Sequence, residues 1–495
     1  MIAHPFVYEL NTWPWLAALG RRDGSTVARA SVPDAEWEAI AALGFDAVWR
    51  MGVWERSPAG IAVALENQSL LESFRRALPD YTSADVVGSP YCVRDYVVDA
   101  RLGGSEGLAV ARQSLARHGL GLILDFVPNH VAPDHPWLRD HPEYFVQGDE
   151  ADLEREPASF VRVGDVVVAN GRDPYFPAWP DVVQLDAFSP GLRHAVTTTL
   201  RALAAQCDGV RCDMAMLVTN DVFDRTWGQR AGPRPEHDYW PTVIQAVKAD
   251  RPDFLFIAEA YWDMEWTLQQ EGFDYCYDKR LYDRLVHEGA AEVHGHLGAD
   301  LEYQRRLVRF VENHDEPRAA ATFSAAKARA AAVVTLSQTG ARLVHEGQLD
   351  GRTVHLPVFL GRRPEEPVDE DLRSFYERLL AFLGDGVFRE GEWTRAERGG
   401  WDGNDTWAQL IAWGWRGASR KLIVVNFGDQ PAEGNVSLPW DDLPGTTWLL
   451  DDAGDGRRYE RRGGDLCAGM YVSLPPWHWH LFDVTPIDSP KAIQS

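Results

Sequence analysis

The sequence predicts an α/β architecture: a parallel (β/α)8 (TIM) barrel with a subdomain inserted after the third strand, followed by a C-terminal antiparallel β-sandwich. Three observations carry this expectation. Short apolar runs alternate with helix-period segments about eight times up to roughly residue 390, the pattern of strand–helix repeats in a parallel sheet. One connection, between residues 131 and 190, is too long and too rich in Pro, Asp and Gly to be a plain loop. Beyond about Gly391 the helix period stops and only short β runs separated by turn residues remain.

The elements follow in order. FVYELN (Phe6–Asn11) is the first strand, and PDAEWEAIAALG then starts on Pro33, carries apolar residues at helical spacing and ends on Gly44. FDAVWRMGV is the second strand; SEGLAVARQSLARHG is a helix closing on Gly119; GLILDFVPNH is the third strand, running into a loop. After the long insertion, GLRHAVTTTLRALAAQ leads to GVRCDMAM, PTVIQAVKAD to FLFIAEA, and AKARAAAVVTLSQTG to ARLVHEG. FDYCYD and LVRFVENHD are weaker strand signals that complete the eight. A doubly wound open sheet is the competing arrangement, but no G-x-G-x-x-G phosphate fingerprint supports it. The expected division is therefore a barrel of residues 1–130 plus 191–390, an inserted subdomain of 131–190 and a sandwich of 391–495. WAQLIAWGW, KLIVVNFG, GNVSLPW, TTWLLDD and MYVSLPPWHWHLF are the strands of that last part. It holds nine of the chain's twenty tryptophans, which read better as sandwich core than as a dedicated glycan site.

Composition narrows the function classes. Hydrophobic residues make up 45% and charged residues 25%, an ordinary soluble balance with no transmembrane-length apolar run. A net charge of −25 repels nucleic acid and anionic membranes but leaves a neutral substrate unhindered. Cys92, Cys207, Cys212, Cys276 and Cys467 are scattered and odd in number, as expected for free thiols in a reducing compartment. The segment MIAHPFVYELNTWPW has no basic n-region or long apolar core, so the expectation is a cytoplasmic protein without a signal peptide.

Chemistry in such a barrel sits at the C-terminal ends of the strands. Four of these ends carry polar clusters: Asp125 to His130, Arg211 with Asp213, Glu259, and Asn313-His314-Asp315. Arg211 and Asp213, two apart on one strand, share a face, so the guanidinium can hold the carboxylate ionised as a nucleophile. Glu259 follows the apolar run FLFIA, and burial there favours a protonated acid able to donate to a leaving oxygen. Two carboxyls in opposed surroundings are the pattern of glycoside hydrolysis. Each cluster alone reads as a cap or turn; the order of all four is what points to chemistry.

Together the segments resemble the α-amylase family, glycoside hydrolase family 13. DFVPNH (125–130), GVRCDMA (209–215), FIAEAYW (256–262) and FVENHD (310–315) resemble its four conserved segments. YCVRDY (91–96) resembles the loop whose Tyr stacks under the reacting sugar, GFDAVWRMGVWERSP (44–58) its second barrel strand, and VVQLD (182–186) the segment closing its inserted domain. The resemblance implies Asp213 as nucleophile, Glu259 as general acid/base and Asp315 as stabiliser of the oxocarbenium-like state. It implies substrate-binding roles for Tyr91, His130, Arg211 and His314, and a supporting role for Asp125 behind Arg211.

Some positions depart from the pattern. Met216 and Leu217 stand where many members carry a Lys-His pair, Cys92 where chain-end binders carry Asp, and Ser89-Pro90 where His-Gly is familiar. Asn129 matches a position that often binds structural calcium and reads equally as a loop hydrogen-bonder; no cofactor is expected to be required. The substrate implied is a neutral α-glucoside or oligosaccharide. Hydrolysis is favoured, with transfer to a sugar hydroxyl, phosphorolysis and a non-catalytic glycan-binding role as the alternatives.

Overall fold

The computed structural model describes residues 3–24, 32–438 and 440–487. Eight parallel strands close into a barrel: β1 (Phe6–Asn11), β2 (Ala47–Met51), β3 (Gly121–Phe126), β4 (Gly209–Cys212), β5 (Leu255–Ala258), β6 (Tyr275–Tyr277), β7 (Leu307–Arg309) and β8 (Ala341–His345), in sequence order round the barrel. Every residue of β2, β4, β5, β7 and β8 is buried, as expected for strands covered on both faces. β6 and β7, whose sequence signals are weak, are three residues long. Gly209 opens β4 for a steric reason. A Cβ there would stand 2.6 Å from Leu255 Cβ and 2.9 Å from Leu255 O, so no other residue lets β4 lie so close to β5.

The chain divides into two compact units. One comprises Val7–Tyr277 with Val354–Glu366. It holds β2 to β6, their helices and the insertion. The helix Pro190–Gln206 starts with Ser189 accepting from the Leu192 amide at 3.3 Å and Pro190 in its first turn, a standard entry. The insertion forms a four-stranded antiparallel sheet, ordered His130–Val131, Trp179–Gln184, Val166–Gly171, Phe160–Val163. His130 pairs with Gln184, so this sheet begins where the loop from β3 ends. Arg230 donates to both oxygens of Asp152 at 2.6 and 2.8 Å and ties the insertion to the segment between β4 and β5.

The other unit comprises Met1–Phe6, Asp278–Thr353 and Pro367–Ser495. Its C-terminal part holds a six-stranded and a three-stranded antiparallel sheet around a shared core that includes Leu410, Leu422, Val424, Trp440, Trp448 and Met470. Trp393, Trp413, Trp415, Trp440 and Trp448 are all buried, in keeping with the core reading of this tryptophan-rich part. The region read as all β also contains one short helix, Gly463–Ala468, and a 3-10 turn, Thr406–Gln409. Six residues with two leading glycines leave no helix-length period to detect. Trp413 and Trp415 both donate their indole N–H to Ser337 O, at 3.2 and 2.8 Å, satisfying a carbonyl at the end of the helix Ala325–Leu336. At the other end of the chain, the Arg342 amide donates to Pro5 O at 2.9 Å, the Gly340 amide to His4 Nδ1 at 3.0 Å, and the Arg342 guanidinium lies 4.0 Å from the Phe6 ring centroid.

Candidate active site

The first unit gathers six of the residues singled out in the sequence. Register pairs Cys212 with Ala258, so Asp213 and Glu259 each come one step beyond a paired position on adjacent strands. Neighbouring strands lie about 4.8 Å apart, so the two carboxylates leave the barrel rim side by side. Arg211 joins them: Nη1 donates to Asp213 Oδ1 at 2.7 Å and Nη2 lies 2.7 Å from Glu259 Oε1. Its Nε donates to the Tyr277 hydroxyl at 3.4 Å. Rings of Trp49, Tyr91 and Tyr277 surround the guanidinium at centroid distances of 5.3, 5.1 and 5.6 Å. Trp49 comes from β2 and Tyr277 from β6, so Arg211 must point into the barrel to meet both. The buried strand tolerates these charges because they compensate one another and π faces cover the cation. Burial works against the charged form of Arg211, but the fields of Glu259, Tyr91, Tyr277 and Asp213 outweigh it and hold the guanidinium well above its ordinary value.

Glu259 is not in an apolar niche. Besides Arg211, the Met214 amide donates to Oε2 at 2.6 Å and the Tyr261 hydroxyl to Oε1 at 3.1 Å. The FLFIA run buries the strand, but the carboxyl at its end is oriented by donors. Met214 pays for its amide position with a left-handed backbone, φ 41°, which a side-chain-bearing residue adopts only under constraint. That turn follows Asp213 directly and points the two carboxylates at one space.

Asp125 accepts from the Trp49 indole at 2.9 Å on Oδ1 and from the Gly52 amide at 2.7 Å on Oδ2. It is also the register neighbour of Arg211, so it braces the Trp49 ring that covers the guanidinium. His130 is buried, with its ring edge on Trp179 at 5.2 Å; burial lowers its basicity, against the pull of Asp213, and keeps the imidazole neutral. Asn129 Nδ2 lies 3.3 Å from its Nδ1, so that ring nitrogen is engaged within the protein. Tyr91 stands over Arg211 with its hydroxyl 3.3 Å from Met51 Sδ. Met216 and Leu217 are buried in the short helix Ala215–Val218. Cys92 is buried and its thiol donates to Asp181 O at 3.0 Å.

Asn129 spends its side chain within the protein. Its Oδ1 accepts from Gln184 Nε2 at 2.9 Å and its Nδ2 donates to Gln184 Oε1 at 3.3 Å. Among the described residues no three His, Cys, Asp or Glu side chains converge as a metal site.

The second unit holds the other two site residues, on the loop after β7. Asn313 Oδ1 accepts from the Asp315 and Glu316 amides at 2.9 and 2.8 Å, and His314 Nε2 lies 3.0 Å from Asp315 Oδ2. His314 is buried, whereas the Asp315 side chain is 38% exposed and so open to a ligand. Glu312 fixes the base of this loop, accepting from Arg318 at 2.5 Å and from the Ala319 amide at 2.7 Å. Burial raises its proton affinity, but Arg318, His345 and the Ala319 amide outweigh that and keep the carboxylate below the usual range.

Residues 38–412 match the family model described as alpha amylase, catalytic domain. The chain belongs to the α-amylase catalytic-domain family. It is 30% identical over 250 residues to alpha-1,4-glucan:maltose-1-phosphate maltosyltransferase 2 of Streptomyces coelicolor, covering 48% of this chain and 30% of that protein. It is 24% identical over 343 residues to the α-amylase MalA of Haloarcula japonica, covering 65% of this chain and 44% of that protein. The chain thus spans less than half the length of these two curated relatives. In fold it is similar over 98% of its length to the maltogenic α-amylase AmyB of Thermotoga neapolitana and to an α-amylase from H. orenii, at TM-scores of 0.69 and 0.67 and 18% and 17% identity, with 99% and 100% of those chains covered. In this α-amylase-family barrel, sequence reasoning did not single out Trp49, Tyr261 or Tyr277. Trp49 and Tyr277 meet Arg211 from other strands, which no spacing reveals, while Tyr261 lies two residues from its partner Glu259 but carries no mark of its own as a donor.

Proposed function

We propose that the protein is a retaining enzyme acting on α-glucosidic bonds of α-glucosides or maltooligosaccharides by double displacement. One observation carries this: a single buried guanidinium, Arg211, engages the carboxylates of both Asp213 and Glu259 at the ends of adjacent strands. A retaining pair sits about 5–5.5 Å apart, too close to admit water between nucleophile and sugar, and adjacent strand ends supply that spacing. Asp213 attacks the anomeric carbon while Glu259 gives its proton to the leaving oxygen, leaving a glycosyl ester on Asp213 and an ionised Glu259. Glu259 then takes a proton from the incoming hydroxyl, whose oxygen displaces Asp213 with a second inversion. Asp315 stabilises the oxocarbenium-like state, Tyr91 stacks under the sugar, and His130 and His314 hold its hydroxyls. Intact carboxylates argue against a purely glycan-binding role.

Hydrolysis is the first reading for the second step, with water as acceptor. Transfer to a sugar is the second, favoured by the names of several relatives. The substrate is neutral, and nucleic acid and membrane are not partners: the chain carries a net charge of −25, and no described helix is long and apolar enough to cross a membrane. We place the protein in the cytoplasm, with residues 1–130 and 191–390 as catalytic barrel, 131–190 as insertion and 391–495 as sandwich.

The test is incubation with maltose, maltooligosaccharides, trehalose and sucrose, with and without phosphate, resolving products and the anomer formed first. Asp213→Asn should lower turnover by several orders of magnitude with the fold intact. Glu259→Gln should spare the first step for a substrate with a good leaving group, and the glycosyl ester should then appear as added mass on the Asp213 peptide. Near-normal activity of Asp213→Asn, or an inverted first product, overturns the assignment.

A further inference from the structure

The loop after β7 carries three carboxylates, Glu312, Asp315 and Glu316, and the second compact unit treats them differently. The Glu312 side chain is 1% exposed and paired with Arg318. The Glu316 side chain is 14% exposed and meets Lys279, whose Nζ lies 3.2 Å from Oε1. Asp315, between them in sequence, is 38% exposed with His314 beside it. The sequence offers no reason why Asp315 and not Glu316 is the open carboxylate, since the two are adjacent acids on one loop. The reason lies in what holds Glu316.

Lys279 stands on rigid ground. It opens the helix Lys279–His287, which Asp278 caps by accepting from the Leu281 amide at 3.1 Å. Asp278 is itself clamped by Arg309 and His296. The Lys279 ammonium lies 4.8 Å from the centroid of the Tyr282 ring, and that ring stacks on Phe310, the residue just after β7, at 5.8 Å. Asp283, one turn along the helix, accepts a further bond from Lys279. The Tyr282 hydroxyl donates to the Glu316 carboxylate. Glu316 is therefore gripped by a cation and a hydroxyl from one helix, while its amide donates to Asn313 Oδ1 at 2.8 Å. Burial raises the Glu316 carboxyl, Lys279 pulls it down, and Asp283 and Asp315 push it up. The same repulsion acts on Asp315 in return, and the Lys279 charge offsets it. An exposed ion pair usually contributes little; this one has a largely buried carboxylate, and that carboxylate belongs to the residue next to Asp315.

We propose that Lys279, acting through Glu316, is a positioning residue for Asp315: it draws the competing carboxylate onto its helix, so that Asp315 alone presents its charge to the reacting sugar. The proposal rests on the reading of Asp315 as the group that stabilises the oxocarbenium-like state. Without the cation, Glu316 loses its anchor and two like charges contend for one place on a five-residue loop (312–316). The stabiliser is then both displaced and opposed by its neighbour, which weakens the transition state more than the bound substrate.

The test measures kcat and KM of the full chain on a maltooligosaccharide, beside a thermal melt of each variant. Lys279→Ala should lower kcat by about 10²-fold with KM little changed, the loss that follows a misplaced group at a reacting centre. Adding Glu316→Gln to that chain should restore most of the turnover, because removing the competing charge makes the cation dispensable. Lys279→Arg, which keeps the charge, should keep most of the activity. A residue that only held the fold would give losses that add in the double variant and that track the melt. Unchanged kcat in Lys279→Ala, or a double variant no better than the single one, overturns the proposal. If Lys279→Ala does not fold, Lys279→Met, which keeps an apolar stem on the Tyr282 ring, takes its place under the same two criteria. Asp315→Asn is the control for the underlying reading. Near-normal turnover there defeats the role of Asp315 itself, whereas its loss beside full activity of Lys279→Ala defeats the positioning role alone.

Discussion

Arg211 is the residue on which the site turns, and its planar fork matters as much as its charge. Lysine would keep the charge but could not reach Asp213 and Glu259 at once while stacking among three rings. Arg211→Lys should lower kcat by about 10²–10³-fold with KM little changed, because orientation of both carboxylates is lost at the transition state; steady-state kinetics beside a circular dichroism melt would separate this from unfolding. A second residue carries a pH signature. Burial pushes the Glu271 carboxyl up to about 8, helped by Asp238 and Asp221 and opposed by Arg193. Its folded value lies above its unfolded one, so its contribution is intact at acid pH and is lost as pH rises from about 4 to about 8. Glu271→Gln should leave stability at pH 5 nearly unchanged and add on the order of 2 kcal/mol at pH 8, read as the urea midpoint at the two pH values. At this scale the sequence made Asp213, Glu259, Asp315 and their neighbours legible, because motif and strand end coincide. It left Tyr261 and Tyr277 unmarked, and it suggested an apolar setting for Glu259 because the run FLFIA reveals the strand and not the donors beyond its end.

Elements are held by buried pairs that pattern alone does not disclose. Asp278, just after β6, accepts from Arg309 Nε at 3.0 Å and lies 3.0 Å from His296 Nε2; Arg309 also donates to Thr339 O at 2.6 Å. Burial alone would raise the Asp278 carboxyl, but His296 and Arg309 hold it far below the usual carboxylate range, so its stabilisation is present at neutral pH and is lost as pH falls below about 4. Asp278→Ala strands the buried Arg309 and should cost about 3–5 kcal/mol, measurable as a lower denaturant midpoint at pH 7. The loop after β3 makes a different prediction. Because Asn129 and Gln184 satisfy one another, a chelator should leave the activity and the melting temperature of the purified protein unchanged; loss of either on chelation, restored by calcium, would refute this. All eight barrel strands were visible as apolar runs, β6 and β7 faintly because three residues give almost no pattern. The helix Gly463–Ala468 was not visible, since glycine at its first two positions speaks against a helix.

On the scale of the whole molecule, the change from helix period to β period near residue 391 marks a change of secondary structure, while packing groups the chain differently. The C-terminal sheets share one compact unit with Asp278–Thr353, and Trp413 and Trp415 close off the helix Ala325–Leu336 through Ser337 O. No linker composition announces that, because the contact is made by two indoles and a carbonyl. A chain ending at residue 390 should therefore be insoluble or molten, checked by its near-ultraviolet circular dichroism and by its loss of cooperative unfolding. The same unit contains His4, Pro5 and Phe6, docked on residues 340–342. During synthesis at 5–20 residues per second, those early residues leave the ribosome roughly 20–70 s before the segment they dock on exists. For that interval they are clients of whatever shields nascent chain, and the rate at which residue 342 is reached sets the earliest moment at which they can dock.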